Sequence, residues 1–341
     1  EKAPANCTAE TTYNTVSLNW AKAADADGYT ITRKVEGADT EQTIAHVDGV
    51  DAVSYKDTGV QTGNIYIYHV YAYTKYTNNG QQDYANTDTY ATIKAAPQLG
   101  KAALTSVTAE GYSSLTLKWE EVDGATGYIV YRSTDKSKVD TQIMDITNGA
   151  VSYVDTALTA GNTYYYKVQP YCVVNGKKVY GDASGILSGK PLPSATKLTA
   201  ESAGYKEVNL TWSAVDGVTG YEVYRKTSSS SYKKIATVAG EKTGYSDTKV
   251  TAGTAYTYKV RAYKTVNGSQ VYGDYSNEST ATPALEAPQI ALKNASYNSV
   301  TITWNQISGA HGYKIYRSTK KDSGYRKVKT VNDKTTLTYT D

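Results

Sequence analysis

Short runs of the chain alternate apolar and polar residues with a period of two, and one such run recurs four times as "VSLNW", "LTLKW", "VNLTW" and "VTITW". The alternation predicts a strand with its Trp on the buried face, so Trp20, Trp119, Trp212 and Trp304 are expected in cores. Their nearly even spacing marks an internal repeat. Nine residues after each Trp comes a Tyr, at Tyr29, Tyr128, Tyr221 and Tyr313. Each is preceded by a Gly (Gly28, Gly127, Gly220, Gly312), as expected where a turn needs positive φ before the next strand. That strand reads "GYTITRK", "GYIVYRS", "GYEVYRK" and "GYKIYRS"; further on, segments such as "AVSYVDTALTAGNTYYYKVQPY" predict a short strand, a Gly turn and a long alternating strand. About seven short strands per repeat argue for an all-β chain of tandem Greek-key β-sandwiches.

Breaks in the alternation at the Pro-containing linkers "IKAAPQLG", "SGKPLPSA" and "ATPALEAPQ" divide the chain into residues 1–96, 97–191, 192–283 and 284–341. The Trp of the second strand, the "GYxVYR" strand and the "TAGNTYYYKVQPY" segment together resemble the fibronectin type III module, an immunoglobulin-like sandwich. The resemblance covers nearly the whole chain and is strongest to modules of bacterial secreted and cell-surface proteins. It implies a corner Tyr whose hydroxyl closes onto the backbone, at Tyr66, Tyr164 and Tyr256, after Val60, Leu158 and Val250. The family's Pro in this turn is replaced by Thr62, Ala160 and Ala252. The fourth repeat stops before its own corner Tyr, so its last two strands are missing and unpaired edges are expected there.

"VNGKKVYGD" and "VNGSQVYGD" follow the long strands, and Asn175-Gly176 and Asn267-Gly268 are favoured tight hairpin turns. "VYGD" is then the returning arm that begins the last strand. Asn79-Gly80 keeps the turn in the first repeat, where the order Val-Tyr-Gly is lost.

Composition narrows the function classes. The 36 Lys and Arg against 33 Asp and Glu leave a charge of +3 without long runs of one sign, which argues against nucleic acid as a partner. No run approaches the roughly 18 to 20 apolar residues of a membrane-spanning helix, so no transmembrane segment is expected. There are 34 Tyr and no Phe, an aromatic usage that favours strands. Cys7 and Cys172 lie in different repeats and are expected as free thiols. His46, His69 and His311 show no pairing pattern, and "DADG" at Asp25 to Gly28 lacks the remaining ligands of a calcium loop. No catalytic residue, metal or cofactor is therefore expected.

Strand parity turns Lys259, Arg261 and Tyr263 outward if Tyr256, Tyr258 and Val260 face inward, with Lys167, Gln169 and Tyr171 repeating this and His69, Tyr71 and Tyr73 standing in the first copy. Tyr71, Tyr171, Tyr263 and the two Asn-Gly hairpins are thus candidate contacts for a protein or glycan at a surface. The competing reading is that these aromatics cover Lys stems across strands. The expected function is a non-enzymatic extracellular structural or spacer segment of a multidomain surface or secreted protein, open to self-assembly through the incomplete fourth repeat. The alternative is an adhesin or carbohydrate-binding accessory module.

Overall fold

A computed structural model describes residues 2–341, and among them every regular element is a β-strand. The first repeat contains β1 (Ala5–Thr11), β2 (Val16–Ala21), β3 (Gly28–Val35), β4 (Gln42–Asp48), β5 (Ser54–Asp57), β6 (Tyr66–Asn78), β7 (Gln81–Asn86) and β8 (Ala91–Ala95). One sheet has the order β1-β2-β5; the other runs β4-β3-β6-β7, with β8 also paired to β6. The second and third repeats reproduce both sheets strand for strand. By contact the chain forms two compact units, one of residues 1–109, 114–157 and 162–190, the other of residues 110–113, 158–161 and 191–341.

Eight strands per complete repeat replace the expected seven because the last strand is broken. In the break, the Ser184 hydroxyl takes the Val168 N–H at 3.0 Å, and the Ser276 hydroxyl takes that of Val260 at 3.0 Å. A side-chain oxygen there replaces a backbone acceptor, so the donor stays satisfied while the strand bends away.

The sandwich interiors hold the expected residues. Trp20, Trp119, Trp212 and Trp304 are all buried, as are Tyr66, Tyr164 and Tyr256. Each Trp packs against the first Tyr of the β3-type strand at ring-centroid distances of 5.2, 5.5, 5.4 and 5.3 Å. The hydroxyls of Tyr29, Tyr128, Tyr221 and Tyr313 accept backbone N–H groups of the preceding turn, from Ala23, Val122, Val215 and Ile307 at 3.0, 2.9, 2.9 and 3.0 Å. At the corners Tyr66 accepts the Gln61 N–H at 2.9 Å and Tyr256 the Thr251 N–H at 3.1 Å.

The glycines before the β3 tyrosines have a different cause from the one the sequence suggests. Gly28, Gly127, Gly220 and Gly312 are absent from the positive-φ positions; the left-handed residues are Asp25, Gly124, Gly217 and Gly309, three places earlier. Gly28, Gly127 and Gly220 pair across strands with Tyr73, Tyr171 and Tyr263, whose hydroxyl ends fill the space a side chain would take. This is the aromatic covering of a strand glycine.

A second polar device joins the sheets. At the end of each β5-type strand, buried Asp57, Asp155 and Asp247 accept the hydroxyls of Tyr68, Tyr166 and Tyr258 at 2.8, 2.7 and 3.0 Å. The same carboxylates pair with Arg33, Arg132 and Arg225 at 2.8, 3.0 and 2.6 Å. Each guanidinium also sits over a corner Tyr, 5.4, 5.7 and 5.1 Å from the ring centroid. The Tyr and Arg come from one sheet and the Asp from the other. Burial and the carboxylate push the hydroxyls of Tyr68, Tyr166 and Tyr258 far above the ordinary tyrosine range, so they remain donors.

The two kinds of hydroxyl should differ in weight. Tyr256→Phe removes a neutral hydrogen bond and should cost about 1 kcal/mol, whereas Tyr258→Phe removes one to a buried carboxylate and should cost about 1.5–3 kcal/mol. Urea unfolding of the two variants against wild type measures the order directly.

Candidate functional site

The candidate contact residues separate on inspection. Tyr171 and Tyr263 are buried, with 2% and 7% of their surface exposed, which corrects the expectation that they are available to a partner. Parity places them on the outer face, but Gly127 and Gly220 let their rings collapse onto the neighbouring strand. The Tyr171 hydroxyl donates to Asp145 at 2.9 Å, and Lys178 covers its ring at 4.0 Å. Tyr71 is half-buried and is not their equivalent; Tyr73 is, and it is fully covered. The hairpins Asn175-Gly176 and Asn267-Gly268 are exposed and left-handed at both residues, as a tight turn of this kind requires.

Around Tyr71 lies an aromatic group peculiar to the first repeat. Its ring is 4.9 Å from Tyr90, and His69 is 4.3 Å from Tyr90 while bonding Glu41 at 2.7 Å. His46 stacks on Tyr84 at 4.0 Å and bonds Thr30 at 3.0 Å. Cys7 and Cys172 are free thiols. Among the described residues no group of three or more His, Cys, Asp and Glu is placed to hold a metal ion.

The same outer face in the third repeat carries charge. Glu222, only 2% exposed, accepts from the Tyr224 hydroxyl at 2.7 Å, Arg261 at 2.7 Å, Lys234 at 3.0 Å and the Tyr272 hydroxyl at 3.2 Å. Arg261 stacks 3.7 Å over Tyr272, and Lys259 lies 3.6 Å over Tyr275. Burial pushes the Glu222 carboxyl up, but the bonds from Tyr224, Arg261 and Lys234 outweigh it and hold the group down at about 2. The cations and hydroxyls of this face are engaged with one another, as in the reading of aromatics covering basic stems.

In the fourth repeat the β3-type strand Tyr313–Arg317 pairs with Arg326–Val331 and, among the described residues, with no β6-type strand. An open groove of about 650 Å³ runs along it, lined by Leu292, Ile302, Trp304, Ile307, Tyr313 and Ile315 among others. Arg317 pairs with Asp341 at 2.8 Å, the arrangement that elsewhere also takes a β6 tyrosine.

The contacts that sequence reasoning missed lie in the turns. Within the first unit the Tyr13 ring rests on Gly124 so closely that a Cβ there would collide with it, and Gly63 meets Val179. Within the second unit Tyr112 rests on Gly217, Tyr205 on Gly309, and Gly161 meets Val271. Lys264 lies 4.5 Å over the Tyr112 ring. The N–H groups of Gly63, Gly161 and Gly253 bond the linker carbonyls of Pro97, Pro191 and Pro283 at 3.4, 2.9 and 2.8 Å. The signal was in the text: a Tyr stands seven residues before every Trp, and Gly five residues after three of the four. Val179 and Val271 begin the two "VYGD" segments, and Gly181 and Gly273 lie against linker residues Leu99–Gly100 and Pro193. That duplicated motif is a joint element as well as a hairpin arm.

Residues 198–281 match the family model described as "Fibronectin type III domain SaeA third domain". By this match the third repeat is a fibronectin type III domain, and the first and second repeats carry the same two sheets. The chain is similar to Exoglucanase B of Cellulomonas fimi, 29% identical over 239 residues that cover 63% of this chain and 20% of the relative. It is also similar to an amylopullulanase of Thermoanaerobacterium saccharolyticum, 27% identical over 305 residues, 76% of this chain and 23% of the relative. The chain thus spans less than a quarter of either protein. A two-domain fibronectin type III segment of chicken tenascin aligns at 17% identity over 55% of this chain and 98% of its own, with a TM-score of 0.35.

The depressed Glu222 carboxyl makes the third module acid-sensitive. A group whose folded pKa lies below its unfolded value, about 4.3 for Glu, stabilises above that value and loses its contribution as pH falls to the folded one. Wild type should therefore be more stable than Glu222→Gln at neutral pH, with the difference shrinking below about pH 4.3 and gone near 2. Thermal unfolding of both proteins across that range tests it.

Proposed function

We propose that this chain is a non-enzymatic structural segment that spaces other parts of a multidomain secreted or cell-surface protein. The observation that carries the reading is the repeated turn contact: each A–B turn tyrosine that is seated, between the β1- and β2-type strands, rests on a glycine after the next repeat's Trp. Such contacts serve to set one module against another and need no ligand. The use of charged side chains agrees: buried Asp57, Asp155 and Asp247 are consumed by pairs that join the two sheets, and buried Glu222 by a pair within one sheet. The relatives are enzymes by name and much longer than this chain, which supports a stalk or accessory position beside a catalytic domain.

A second reading rests on Tyr71 and Tyr90, because Tyr90 keeps 46% of its surface exposed beside Tyr71 on the first module's outer face. Partly exposed aromatics of this kind can stack on sugar rings or anchor a protein partner. The two readings are separated by sedimenting the full chain with insoluble glucan and with pullulan-coupled beads. The spacer reading expects the protein to stay in the supernatant; retention that Tyr71→Ser and Tyr90→Ser abolish without lowering the melting temperature would favour the glycan reading.

Self-assembly is the third possibility, since the unpaired edge of Tyr313–Arg317 and the groove beside it suit strand addition from another chain. Light scattering after size exclusion decides it. The spacer reading expects monomers both for the full chain and for one ending at residue 283, and oligomers of the full chain alone would make the groove an assembly surface.

A further inference from the structure

The A–B turn tyrosines repeat at one position relative to the Trp, yet their surroundings differ. Tyr13, Tyr112 and Tyr205 are half-buried against Gly124, Gly217 and Gly309, whereas Tyr297 is 100% exposed. The socket position varies in a complementary way. Asp25 stands where the other repeats have Gly, and it keeps the same left-handed backbone, with φ of 63° against 79°, 66° and 79°. Backbone conformation alone therefore does not demand glycine at this site; an aspartate adopts it where no tyrosine is seated. What demands glycine is the ring, because a Cβ at Gly124, Gly217 or Gly309 would collide with it.

The contact between Tyr205 and Gly309 shows that the tyrosine seats without the hairpin contact of the other joints. Among the described residues the fourth repeat has no hairpin to meet Gly253, which faces open space, and Tyr205 is seated nonetheless.

We propose that Tyr297 is the free half of this joint and that its partner is a further fibronectin type III module carrying glycine five residues beyond its strand-β2 tryptophan. A second copy of this chain does not fit that description. Its three glycine sockets are covered by its own tyrosines, and its fourth is occupied by Asp25, whose side chain and charge block the ring. The contact is heterologous, a tyrosine of one repeat on a glycine position of another, and contacts of this kind propagate only where both halves are open.

Opening the closed socket in the full chain tests the proposal. Asp25→Gly relieves a residue with positive φ and supplies the missing cavity, so this variant should associate head to tail through Tyr297. Sedimentation velocity is measured at about 1 mM, the effective concentration that a short linker gives the internal joints. The expected result is a concentration-dependent rise in sedimentation coefficient for Asp25→Gly, absent in wild type and abolished by adding Tyr297→Ser. Asp25→Asn, which removes the charge but keeps the Cβ, should behave as wild type. The proposal is overturned if Asp25→Gly sediments as wild type at that concentration, if its association survives Tyr297→Ser, or if Asp25→Asn associates equally. Wild-type association that Tyr297→Ser removes would also overturn it, by showing that a second copy is the partner.

Discussion

The buried Asp–Arg–Tyr group is the constraint on which each sandwich depends. A carboxylate taken out of water is costly unless it is both paired and hydrogen-bonded, and Asp57, Asp155 and Asp247 meet that condition only when the two sheets are in register. A slip of one residue along β5 would turn the Asp to the opposite face and leave Arg and Tyr without their acceptor. The group therefore specifies one alignment of the sheets, a role that an apolar contact of equal size would fill less selectively. In the fourth repeat Arg317 and Asp341 stand together in the same way.

The same logic explains an interior rich in Tyr and devoid of Phe. Three sets of core hydroxyls find partners within the sandwich. Those of Tyr29 and its equivalents cap the turn after the Trp, the corner tyrosines hold the turn before β6, and Tyr68 and its equivalents hold the Asp. Hydrophobic area and a polar staple come from one side chain, which suits small domains whose cores are limited. Glycine is the counterpart of these rings. Gly220 exists because Tyr263 lies across it, and Gly217 because Tyr112 does.

Much of this was legible in the sequence. The period-two alternation around the Trp marked the strands, the Asn-Gly pairs marked the hairpins, and the recurrence of "GYxVYR" marked the repeat. What escaped were features that depend on atoms from distant strands. Parity correctly turned Tyr263 to the outer face, but parity says nothing about whether the neighbour across the sheet is a glycine over which a ring can fold. The glycines before Tyr29, Tyr128 and Tyr221 read as turn residues for the same reason, since a close approach and a positive φ leave the same letter. The Tyr and Gly of the joints were equally regular, and their meaning appeared only when one repeat was set against the next.

The interior and the turns are constant while the outer face changes, and this contrast bears on function. Thr30, Ile129 and Glu222 occupy one position of the β3-type strand, all nearly fully buried, yet each has different company. Thr30 bonds His46 and Asn86, whereas Glu222 gathers Arg261, Lys234 and two tyrosines. If all the modules recognised one ligand through this face, its chemistry would be held in common among them. Instead each face satisfies its own polar groups in its own way, and the common elements are the sheet-joining Asp, the corner Tyr and the turn contacts. The shared parts are therefore those that make a sandwich and join it to its neighbour. Among these faces the first module's, where Tyr71 and Tyr90 lie beside His69, is the most distinct in its aromatic content.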